Sequence, residues 1–382
     1  MSIPPPATIG IIGGGQLGRM LAIEAKKLGY YVRIFDPQRN APAAQVADEA
    51  YIGHFDDLEL IQKFAQGCHV ITYEFENIST RPLCDLVEKG VRVSPSPDVL
   101  AIAQNREKEK NFLKSNGFPC ADFLILNNVT ELSIAANNFP FPACLKSSEF
   151  GYDGKGQVRL EKEFDAVEAW KKMGGKKGIL ERWIDFSAEL SVICARWQDG
   201  RTVAFGAIEN LHRNHILDTS ISPGRFSPEI AQKAENLAIE IAHHLRVVGL
   251  LTVEMFLEPS GKLLVNELAP RPHNSGHFTF DACFCSQFEQ HIRAICNLPP
   301  GSVEQFRPAV MVNLLGDFWH QEKSPNWIEL LNEPCLKLHL YGKDQPRTGR
   351  KMGHFTILGY NLDHAIKKTN TARKILGLPS IT

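Results

Sequence analysis

Residues 250–268 read LLTVEMFLEPSGKLLVNEL, in which two apolar runs flank a turn-forming Pro-Ser-Gly. Two apolar runs of strand length on either side of such a turn predict an antiparallel β-hairpin. A hairpin centred between Ser260 and Gly261 places Glu254 directly opposite Glu267 on the neighbouring strand.

Two carboxylates that face each other across a strand pair repel, so the pair needs a compensating positive group. Glu254 also lies within an apolar run, where an unpaired carboxylate is costly. Magnesium commonly binds one or two carboxylates together with phosphate oxygens and water. We therefore predict that Glu254 and Glu267 bind Mg²⁺, with Mn²⁺ as a second suitable ion. The alternative is two solvated glutamates at a strand edge.

Positive and polar residues follow the predicted metal ligands, since residues 270–277 read PRPHNSGH. The Arg271 guanidinium can bind an anion through two parallel hydrogen bonds. His273 is interpreted as a ligand or a base, or alternatively as a hydrogen-bonded turn residue.

A glycine-rich loop, GYDGKGQ at residues 151–157, follows a predicted strand that ends at Lys146. Its three glycines and lysine allow the backbone to approach a polyphosphate closely, as a flexible flap does. The loop is not a Walker A motif, because no Gly-Lys-Ser/Thr opens a helix there. A plain hairpin turn is the alternative.

A second glycine-rich stretch, GGGQLG at residues 13–18, lies between a predicted strand and a predicted helix. It satisfies the G-x-G-x-x-G pattern, whose amides and helix N-terminus can hold a phosphate. Asp36 ends the next strand, close to where dinucleotide-binding folds place a ribose-binding acid. Taken alone, this pattern suggests an NAD-dependent oxidoreductase, with a tight turn that holds no ligand as the alternative.

The order of strands and helices predicts a small open parallel sheet over the first hundred residues. Its strands are predicted at residues 8–12, 31–35, 50–52, 69–74 and 91–94. The later elements are predicted as a helix over 97–116, a strand-rich region over 141–208, a helix from 227 to about 246, hairpin strands over 249–257 and 262–268, and a tail of short strands and turns from about 307.

The 382 residues suffice for two or three domains, and 43% hydrophobic with 22% charged residues is typical of a folded globular protein. The net charge of -1 supplies no basic field, so we predict no nucleic-acid partner. No apolar run approaches the roughly 18 residues that span a bilayer, and the N-terminus lacks a signal-peptide pattern. We therefore expect a cytoplasmic protein without a membrane partner, whose nine scattered cysteines are reduced thiols.

Several short motifs are each modest alone, but their order and spacing are specific. They are GGQLGRM at 14–20, YEFENI at 73–78, GYDGKGQ at 151–157, ENLHR at 209–213, and NE at 266–267 running into PRPHNSGH at 270–277. With these motifs, residues 10 to about 355 resemble the 5-(carboxyamino)imidazole ribonucleotide synthetases, the ATP-grasp carboxylating ligases of purine synthesis.

The resemblance implies an α/β and α+β architecture: an ATP-grasp fold with an N-terminal open parallel-sheet (pre-ATP-grasp) domain and a small C-terminal β-rich domain. The domains are expected at 1–100, 101–305 and 306–382, with a mobile subdomain at about 118–184. The implied reaction joins bicarbonate to 5-aminoimidazole ribonucleotide and converts ATP to ADP and phosphate, through carboxyphosphate, in de novo purine biosynthesis. A homodimer is also expected from the family.

The resemblance also implies residue roles on the ATP side, where phosphate contacts, a flap, an adenine-binding hinge and a ribose-binding acid follow one another along the chain. The implied ATP-binding residues are Arg106, Lys146, Gly151, Tyr152, Asp153, Gly154, Lys155, Gly156, Gln157, Glu181, Arg182, Trp183, Ile184, Glu189, His212, Asn266 and Glu267. The metal ligands are Glu254 and Glu267, as the hairpin already predicts.

For the reacting groups, the resemblance implies catalytic roles for Arg271, His273 and Lys146. The implied substrate-binding residues are Gln16, Leu17, Glu76, Arg271, Asn274, Lys343 and Arg350. Of these, the basic Lys343 and Arg350 are expected at the phosphate of the ribonucleotide.

Two departures from the family pattern concern the flap and the helix before it. Residues 147–150 stand where many family members have a basic residue and an extra glycine, and Asn105 stands where an aspartate is common. Three alternatives remain: another ATP-grasp ligase or formate-using transformylase of purine synthesis, the NAD-dependent oxidoreductase, and a nucleotide sensor without turnover.

Overall fold

The computed structural model describes residues 1–149, 156–319 and 325–381. The chain opens with a four-stranded parallel sheet in the order β3-β2-β1-β4, which confirms the predicted open sheet. Its elements are β1 (Thr8–Ile12), α1 (Gln16–Lys27), β2 (Tyr31–Asp36), β3 (Glu49–Ile52), α2 (Leu58–Ala65), β4 (Val70–Tyr73) and α3 (Thr80–Glu88). The carboxyl ends of β1 and β4 meet at one edge, where such sheets commonly bind ligands.

The strand predicted at residues 91–94 is wrong, because this segment contacts the sheet only through a bridge between Ile71 and Val93. Two backbone hydrogen bonds join it to β4, from Ile71 N to Arg92 O and from Ser94 N to Ile71 O. Proline follows at position 95 and donates no backbone hydrogen bond, so the ladder does not continue.

The single helix predicted over 97–116 is two helices, α4 (Pro97–Ala103) and α5 (Arg106–Ser115). The chain leaves helical geometry at Asn105, whose φ is -126° and ψ is 111°. Its side chain accepts a hydrogen bond from Lys108 N at 3.1 Å and donates one to Glu149 at 2.9 Å. Asparagine can make both contacts because its amide is a donor as well as an acceptor, whereas an aspartate would only accept.

A second four-stranded sheet, antiparallel and ordered β5-β8-β6-β7, follows α5. The elements of this region are β5 (Phe123–Leu126), α6 (Val129–Ala135), β6 (Ala143–Ser147), β7 (Gln157–Leu160), α7 (Ala166–Met173) and β8 (Gly178–Arg182). The strand-rich prediction for this region missed α7. The Asp165 carboxylate caps that helix by accepting hydrogen bonds from Val167 N and Glu168 N.

The largest sheet has eight strands in the order β13-β12-β9-β10-β11-β14-β16-β15. Its first part comprises β9 (Ala188–Arg196), β10 (Thr202–Arg213), β11 (Ile216–Ser222), α8 (Pro228–Leu245), β12 (Gly249–Leu257) and β13 (Leu263–Ala269). The helix predicted from 227 to about 246 is confirmed, with Ser227 as its N-cap and Arg246 in left-handed geometry at its end. Its apolar face packs on β9, β10 and β12 and forms a core with them.

The remaining elements are α9 (Thr279–Ala282), α10 (Gln287–Ile295), β14 (Ala309–Leu315), α11 (Trp327–Leu331), β15 (Leu336–Leu340), β16 (Lys351–Leu358) and α12 (Leu362–Ile375). The prediction of strands and turns for this tail missed the long helix α12, which packs on β14 and β16. Strand β14 pairs with β11, so the C-terminal strands extend the large sheet. Within the described residues, no helix is long and apolar enough to cross a membrane.

The predicted hairpin is β12 and β13, and Glu254 lies opposite Glu267 as expected. The turn itself is offset by one residue, because Leu257 pairs with Leu263. A β-bulge opposite the Glu254–Met255 step compensates for this displacement. Met255 pairs with Val265 and Glu254 with Glu267, so Asn266 is the extra residue. The predicted pairing is therefore correct, but the regular register behind it is wrong.

Candidate functional site

The two carboxylates of the hairpin are each contacted by one cationic or hydrogen-bonding side chain. His273 Nε2 lies 2.8 Å from Glu254 Oε1, and Arg106 Nη1 lies 3.5 Å from Glu267 Oε2. Each contact involves one oxygen of the carboxylate, and the second oxygen of each carboxylate takes part in neither contact. Burial alone would raise the pKa of Glu254, but the nearby His273 and His212 more than offset this and lower it. An ionised, partly exposed carboxylate opposite a second one suits a divalent cation.

His273 is held at the end of a buried chain of hydrogen bonds. Asn210 donates to Ser191 at 2.8 Å, Ser191 donates to the Ser275 hydroxyl at 2.8 Å, and Ser275 is 2.8 Å from His273 Nδ1. The backbone amide of Ser275 also donates to His273 Nδ1 at 3.4 Å, so Nδ1 is assigned as the acceptor. This assignment leaves the ring proton on Nε2, directed at Glu254. Of the three interpretations of His273, the hydrogen-bonded turn residue describes its contacts.

A cluster of alternating charges lies beside β13, the strand that carries the predicted metal ligand Glu267. The cluster contains the predicted phosphate contacts Lys146 and Arg106. Lys146 Nζ is 2.5 Å from one oxygen of Glu181, and Lys110 Nζ is 3.5 Å from the other. Burial disfavours the charged form of Lys146, but the neighbouring Glu181 carboxylate outweighs burial, so the pKa of Lys146 is raised. The two lysines, with Arg106, also hold the pKa of Glu181 at about 2 despite its burial. Lys146 and Arg106 are thus cationic at neutral pH.

The predicted hinge residues follow Glu181 at the end of β8. Arg182 forms an ion pair with Glu258 at 3.4 Å, which ties the hinge to the β12–β13 hairpin. The Trp183 ring is covered by the guanidinium of Arg159 at 4.5 Å, and Ile184 is buried. The side chains of these three hinge residues are therefore each held by contacts within the protein.

The predicted ribose acid and its neighbour contact each other, because Glu189 Oε2 is 2.9 Å from His212 Nδ1. Burial lowers the pKa of His212, but the hydrogen bond and charge of Glu189 raise it further, so its net shift is upward. The large sheet thus brings together side chains from β9 and β10 that lie next to Glu254 on β12.

On the opposite side of the hairpin, Arg271 and Glu76 form a bidentate ion pair. Arg271 also donates to the carbonyl of Pro272 at 3.0 Å. A guanidinium has five N–H donors, so these three hydrogen bonds leave two N–H groups for another acceptor. The side chain of the neighbouring Asn274 is buried, and its Oδ1 has no hydrogen-bond partner among the described residues.

The predicted ribonucleotide residues come from both ends of the chain. Lys343 Nζ donates to Gln16 Oε1 at 2.8 Å and to Lys351 O at 2.7 Å. Arg350 donates to Gln345 O at 2.7 Å. Leu17 is buried in the core of the N-terminal domain, so only its backbone can contact a ligand there.

The first glycine loop is already filled by two carboxylates of the protein. Asp36 accepts from Gly14 N at 2.7 Å, and Glu74 accepts from Gly15 N at 2.5 Å and Gly18 N at 2.6 Å. A Cβ at position 15 would lie 2.4 Å from Glu74 Oε1, which explains the glycine. The amides that a dinucleotide phosphate would need are therefore occupied, and the oxidoreductase interpretation does not fit.

The predicted flap falls largely outside the described residues. Gly151, Tyr152, Asp153, Gly154 and Lys155 belong to that part, as does the departure at position 150. The described end of the loop lies beside Lys146: Gln157 is its partner across β6 and β7, and Gly156 O accepts from Ser147 N at 2.8 Å. Gly156 has a φ of +71°, a conformation that favours glycine.

Sequence reasoning missed several residues that hold the site, namely Glu74, Glu109, Lys110, Ser191, Asn210 and Ser275. A partial signal existed for Ser191 and Asn210, which are polar residues within otherwise apolar strands. The signal in α5 was a charged pair at Glu109 and Lys110 in a helix that must bury one face.

Among the described residues, one group of three potential metal ligands lies within 4.8 Å: Asp281, His339 and His354. The rings of His339 and His354 stack with their planes at 11°. Their nitrogen lone pairs lie in two stacked and nearly parallel ring planes, so a single ion cannot lie in the plane of both rings.

Comparison with known proteins finds three family models that match successive parts of the chain. The ribonucleotide synthetase preATP-grasp domain matches residues 6–104, the ATP-grasp domain matches 111–288, and the phosphoribosylaminoimidazole carboxylase C-terminal domain matches 309–368. N5-carboxyaminoimidazole ribonucleotide synthase of Bacillus subtilis (strain 168) is 47% identical over 96% of this chain and 95% of the relative.

Two solved structures of such enzymes have the same fold. An ADP complex of N5-carboxyaminoimidazole ribonucleotide synthetase is 45% identical, has a TM-score of 0.92 and covers 98% of each chain. The Aspergillus clavatus N5-carboxyaminoimidazole synthase, in complex with ADP and 5-aminoimidazole ribonucleotide, is 31% identical with a TM-score of 0.91 and covers 97% of this chain and 99% of that one. This chain belongs to the N5-carboxyaminoimidazole ribonucleotide synthase family of ATP-grasp ligases.

Proposed function

We propose that the chain carboxylates 5-aminoimidazole ribonucleotide with bicarbonate at the expense of ATP, as a ligase of purine biosynthesis. The observation that carries the proposal is the cleft between the two groups of site residues. Glu76, Arg106, Ser148, Glu149 and Glu267 line it. Glu76 comes from the predicted ribonucleotide side, whereas Arg106 and Glu267 come from the predicted nucleotide and metal side. Residues from the two predicted sides thus line one pocket, which supports a reaction between the two substrates.

On the nucleotide side, Lys146 and Arg106 bind phosphate oxygens of ATP in this proposal. Both are cationic in the folded chain and both face carboxylates that a bound triphosphate would compete with, Glu181 for Lys146 and Glu267 for Arg106. Glu254 and Glu267 would hold Mg²⁺, which neutralises charge on the transferred phosphoryl group.

Bicarbonate is a poor electrophile, and phosphorylation would give it a leaving group in the form of carboxyphosphate. We assign Arg271 to this anion, because two of its N–H groups remain for an acceptor after its bonds to Glu76 and Pro272. Glu76 fixes the plane of the guanidinium, so the two N–H groups are oriented before substrate arrives. His273 likewise orients the carboxylate of Glu254 through its Nε2 atom.

On the ribonucleotide side, Lys343 and Arg350 are assigned to the phosphate of the substrate and Gln16 to its polar groups. The contact from Lys343 to Gln16 joins the C-terminal strands to the N-terminal glycine loop. Burial and the charge of the neighbouring Arg350 lower the pKa of Lys343 to about 8.

The lowered pKa of Lys343 predicts a pH dependence of ribonucleotide capture. Lys343 is charged below about pH 8 and neutral above it, so kcat/KM for the ribonucleotide is expected to be flat below that pH and to fall above it. An arginine at this position stays charged over the whole pH range, so Lys343→Arg should not show the alkaline fall in kcat/KM. The measurement is kcat/KM between pH 6.5 and about 9.5 at saturating ATP and bicarbonate. An identical alkaline fall in Lys343→Arg would contradict the assignment.

ADP release measured with each substrate omitted in turn tests the proposed function. We expect ADP formation to depend on 5-aminoimidazole ribonucleotide, and carboxylated product to require bicarbonate. Glycinamide ribonucleotide with formate should not replace this pair. ADP formation that responds to formate and ignores aminoimidazole ribonucleotide would instead indicate a transformylase.

The homodimer, the domain bounds at 100 and 305, the mobile subdomain at about 118–184 and the cytoplasmic location stay predictions. The mass of the chain in solution tests the first of them. Twice the chain mass of 42.7 kDa is expected from light scattering, and a single-chain mass would contradict it.

A further inference from the structure

The backbone of β13 is held on both sides of Glu267 by two charged side chains of α5. Lys110 Nζ donates to the carbonyl oxygen of Asn266 at 2.9 Å, and Glu109 Oε1 accepts from the amide of Leu268 at 2.6 Å. Both side chains are almost completely buried, because Glu109 and Lys110 are each only 1% exposed.

These contacts occur where the strand most needs them. Strand β13 is at the edge of the large sheet, and the only pairing of its outer side among the described residues is a single bridge from Val265 to Cys120. Asn266 is also the extra residue of the β-bulge, where the ladder to β12 is interrupted. A bulge at an edge leaves the direction of the following side chain poorly determined by the sheet alone. The following side chain here is Glu267.

The same face of α5 contacts the side chain of Glu267. Arg106, Glu109 and Lys110 lie at positions i, i+3 and i+4 of the helix and therefore share one face. Arg106 lies 3.5 Å from the Glu267 carboxylate, while the other two hold the backbone before and after it. One rigid helix thus sets both the backbone and the carboxylate of a predicted metal ligand.

Apolar residues over this edge would leave the Asn266 carbonyl and the Leu268 amide without partners, which is itself costly. Burying two charged side chains carries a cost as well, and burial raises the pKa of Glu109. Hydrogen bonds to one carbonyl and one amide satisfy these groups and also fix the direction of the backbone, which apolar contacts cannot do. The arrangement therefore serves the position of the strand as well as its hydrogen bonding.

We propose that Glu109 and Lys110 are positioning residues that fix the bulged strand so that the Glu267 carboxylate faces Glu254. The proposal rests on the proposed role of these two carboxylates in binding a divalent cation. It adds two residues that act through the backbone of β13, of which Glu109 also lines the cleft with Arg106 and Glu267.

Mn²⁺ binding in the presence of ADP, followed by electron paramagnetic resonance, tests the proposal without relying on turnover. Lys110→Met keeps the aliphatic stem and removes the donor, and we expect it to weaken Mn²⁺ binding by about 10- to 100-fold, as loss of an outer-shell partner does. Glu109→Leu should have a comparable effect. Glu109→Gln keeps an acceptor for Leu268 N and should stay within about threefold of the original chain, again on the outer-shell scale.

Lys108→Met is the matched control, because it makes the same substitution on an exposed position of the same helix. It should bind Mn²⁺ as the unchanged chain does. ADP affinity without metal is measured beside it, because Lys110 also lies 3.5 Å from Glu181 and this second contact must be separated from the effect on Mn²⁺.

The outcomes separate this proposal from the proposed function. If the unchanged chain with ADP binds no Mn²⁺, the assigned metal role fails first. If it binds Mn²⁺ and Lys110→Met and Glu109→Leu bind equally well, the positioning role is overturned. A Lys110→Met chain that does not fold would also overturn it, because Lys110 would then serve the fold and not the placement of Glu267.

Discussion

Glu267→Ala is expected to lower kcat by about 10³-fold or more, which corresponds to roughly 4 kcal/mol of transition-state stabilisation. The substitution removes one of the two carboxylates proposed to hold Mg²⁺ at the transferred phosphoryl group. The fold should be retained, because the side chain is 37% exposed and its loss relieves repulsion with Glu254. We expect the Tm to change by no more than about 4 °C.

The control is Glu258→Ala, which removes a carboxylate from the same hairpin. Glu258 contacts Arg182 at 3.4 Å and lies at the turn, away from the Glu254–Glu267 pair. It should retain kcat within about threefold, as expected for a residue away from the chemistry. Steady-state rates and thermal melts of both variants provide the comparison. A Glu267→Ala enzyme with the original rate would remove Glu267 from the mechanism.

Arg271→Met is expected to reduce ribonucleotide-dependent ADP formation by about 10³-fold, comparable to the loss of a charge-stabilising donor. The Arg271 guanidinium offers two N–H groups to the bicarbonate-derived anion to which we assign it, whereas methionine offers none. ADP binding should stay within about twofold, because the nucleotide is assigned to Lys146 and Arg106 on the other side of the hairpin. Isothermal titration with ADP and a coupled ADP assay measure the two quantities separately.

A second cause of lost activity is the Glu76 carboxylate, which Arg271→Met leaves without its partner. The double variant Arg271→Met with Glu76→Gln removes that charge and keeps a polar side chain at position 76. It should regain thermal stability relative to the single variant because an uncompensated charge is gone. Its ADP formation should stay low. Recovery of turnover in the double variant would show that Arg271 only balances Glu76.

The sequence predicted the hairpin and the pairing of its two glutamates because both depend on local features. Apolar runs on both sides of Pro-Ser-Gly indicate a hairpin, and repulsion between like charges indicates a ligand. The β-bulge at Asn266 could not be predicted, because it depends on partners in α5 more than 150 residues away along the chain. The pairing came out correctly because the bulge offsets a turn that is displaced by one residue.

Long-range contacts account for most of what the sequence did not reveal about the site. Glu74 fills the first glycine loop from 59 residues away, and without it the loop resembles a dinucleotide site. Lys343 meets Gln16 across 327 residues. The missed helices are different, since Asp165 and Asn361 are helix caps that the sequence already contained.

The fate of bicarbonate oxygen tests the central claim, that ATP activates bicarbonate by phosphorylating it. Phosphorylation joins a bicarbonate oxygen to the γ-phosphorus, and that oxygen stays with phosphorus when the carboxyl group is transferred. With ¹⁸O-labelled bicarbonate, ATP and 5-aminoimidazole ribonucleotide, mass spectrometry of the released phosphate at early times should find one ¹⁸O per phosphate. Phosphate that contains only unlabelled oxygen, formed together with carboxylated product, would contradict the account.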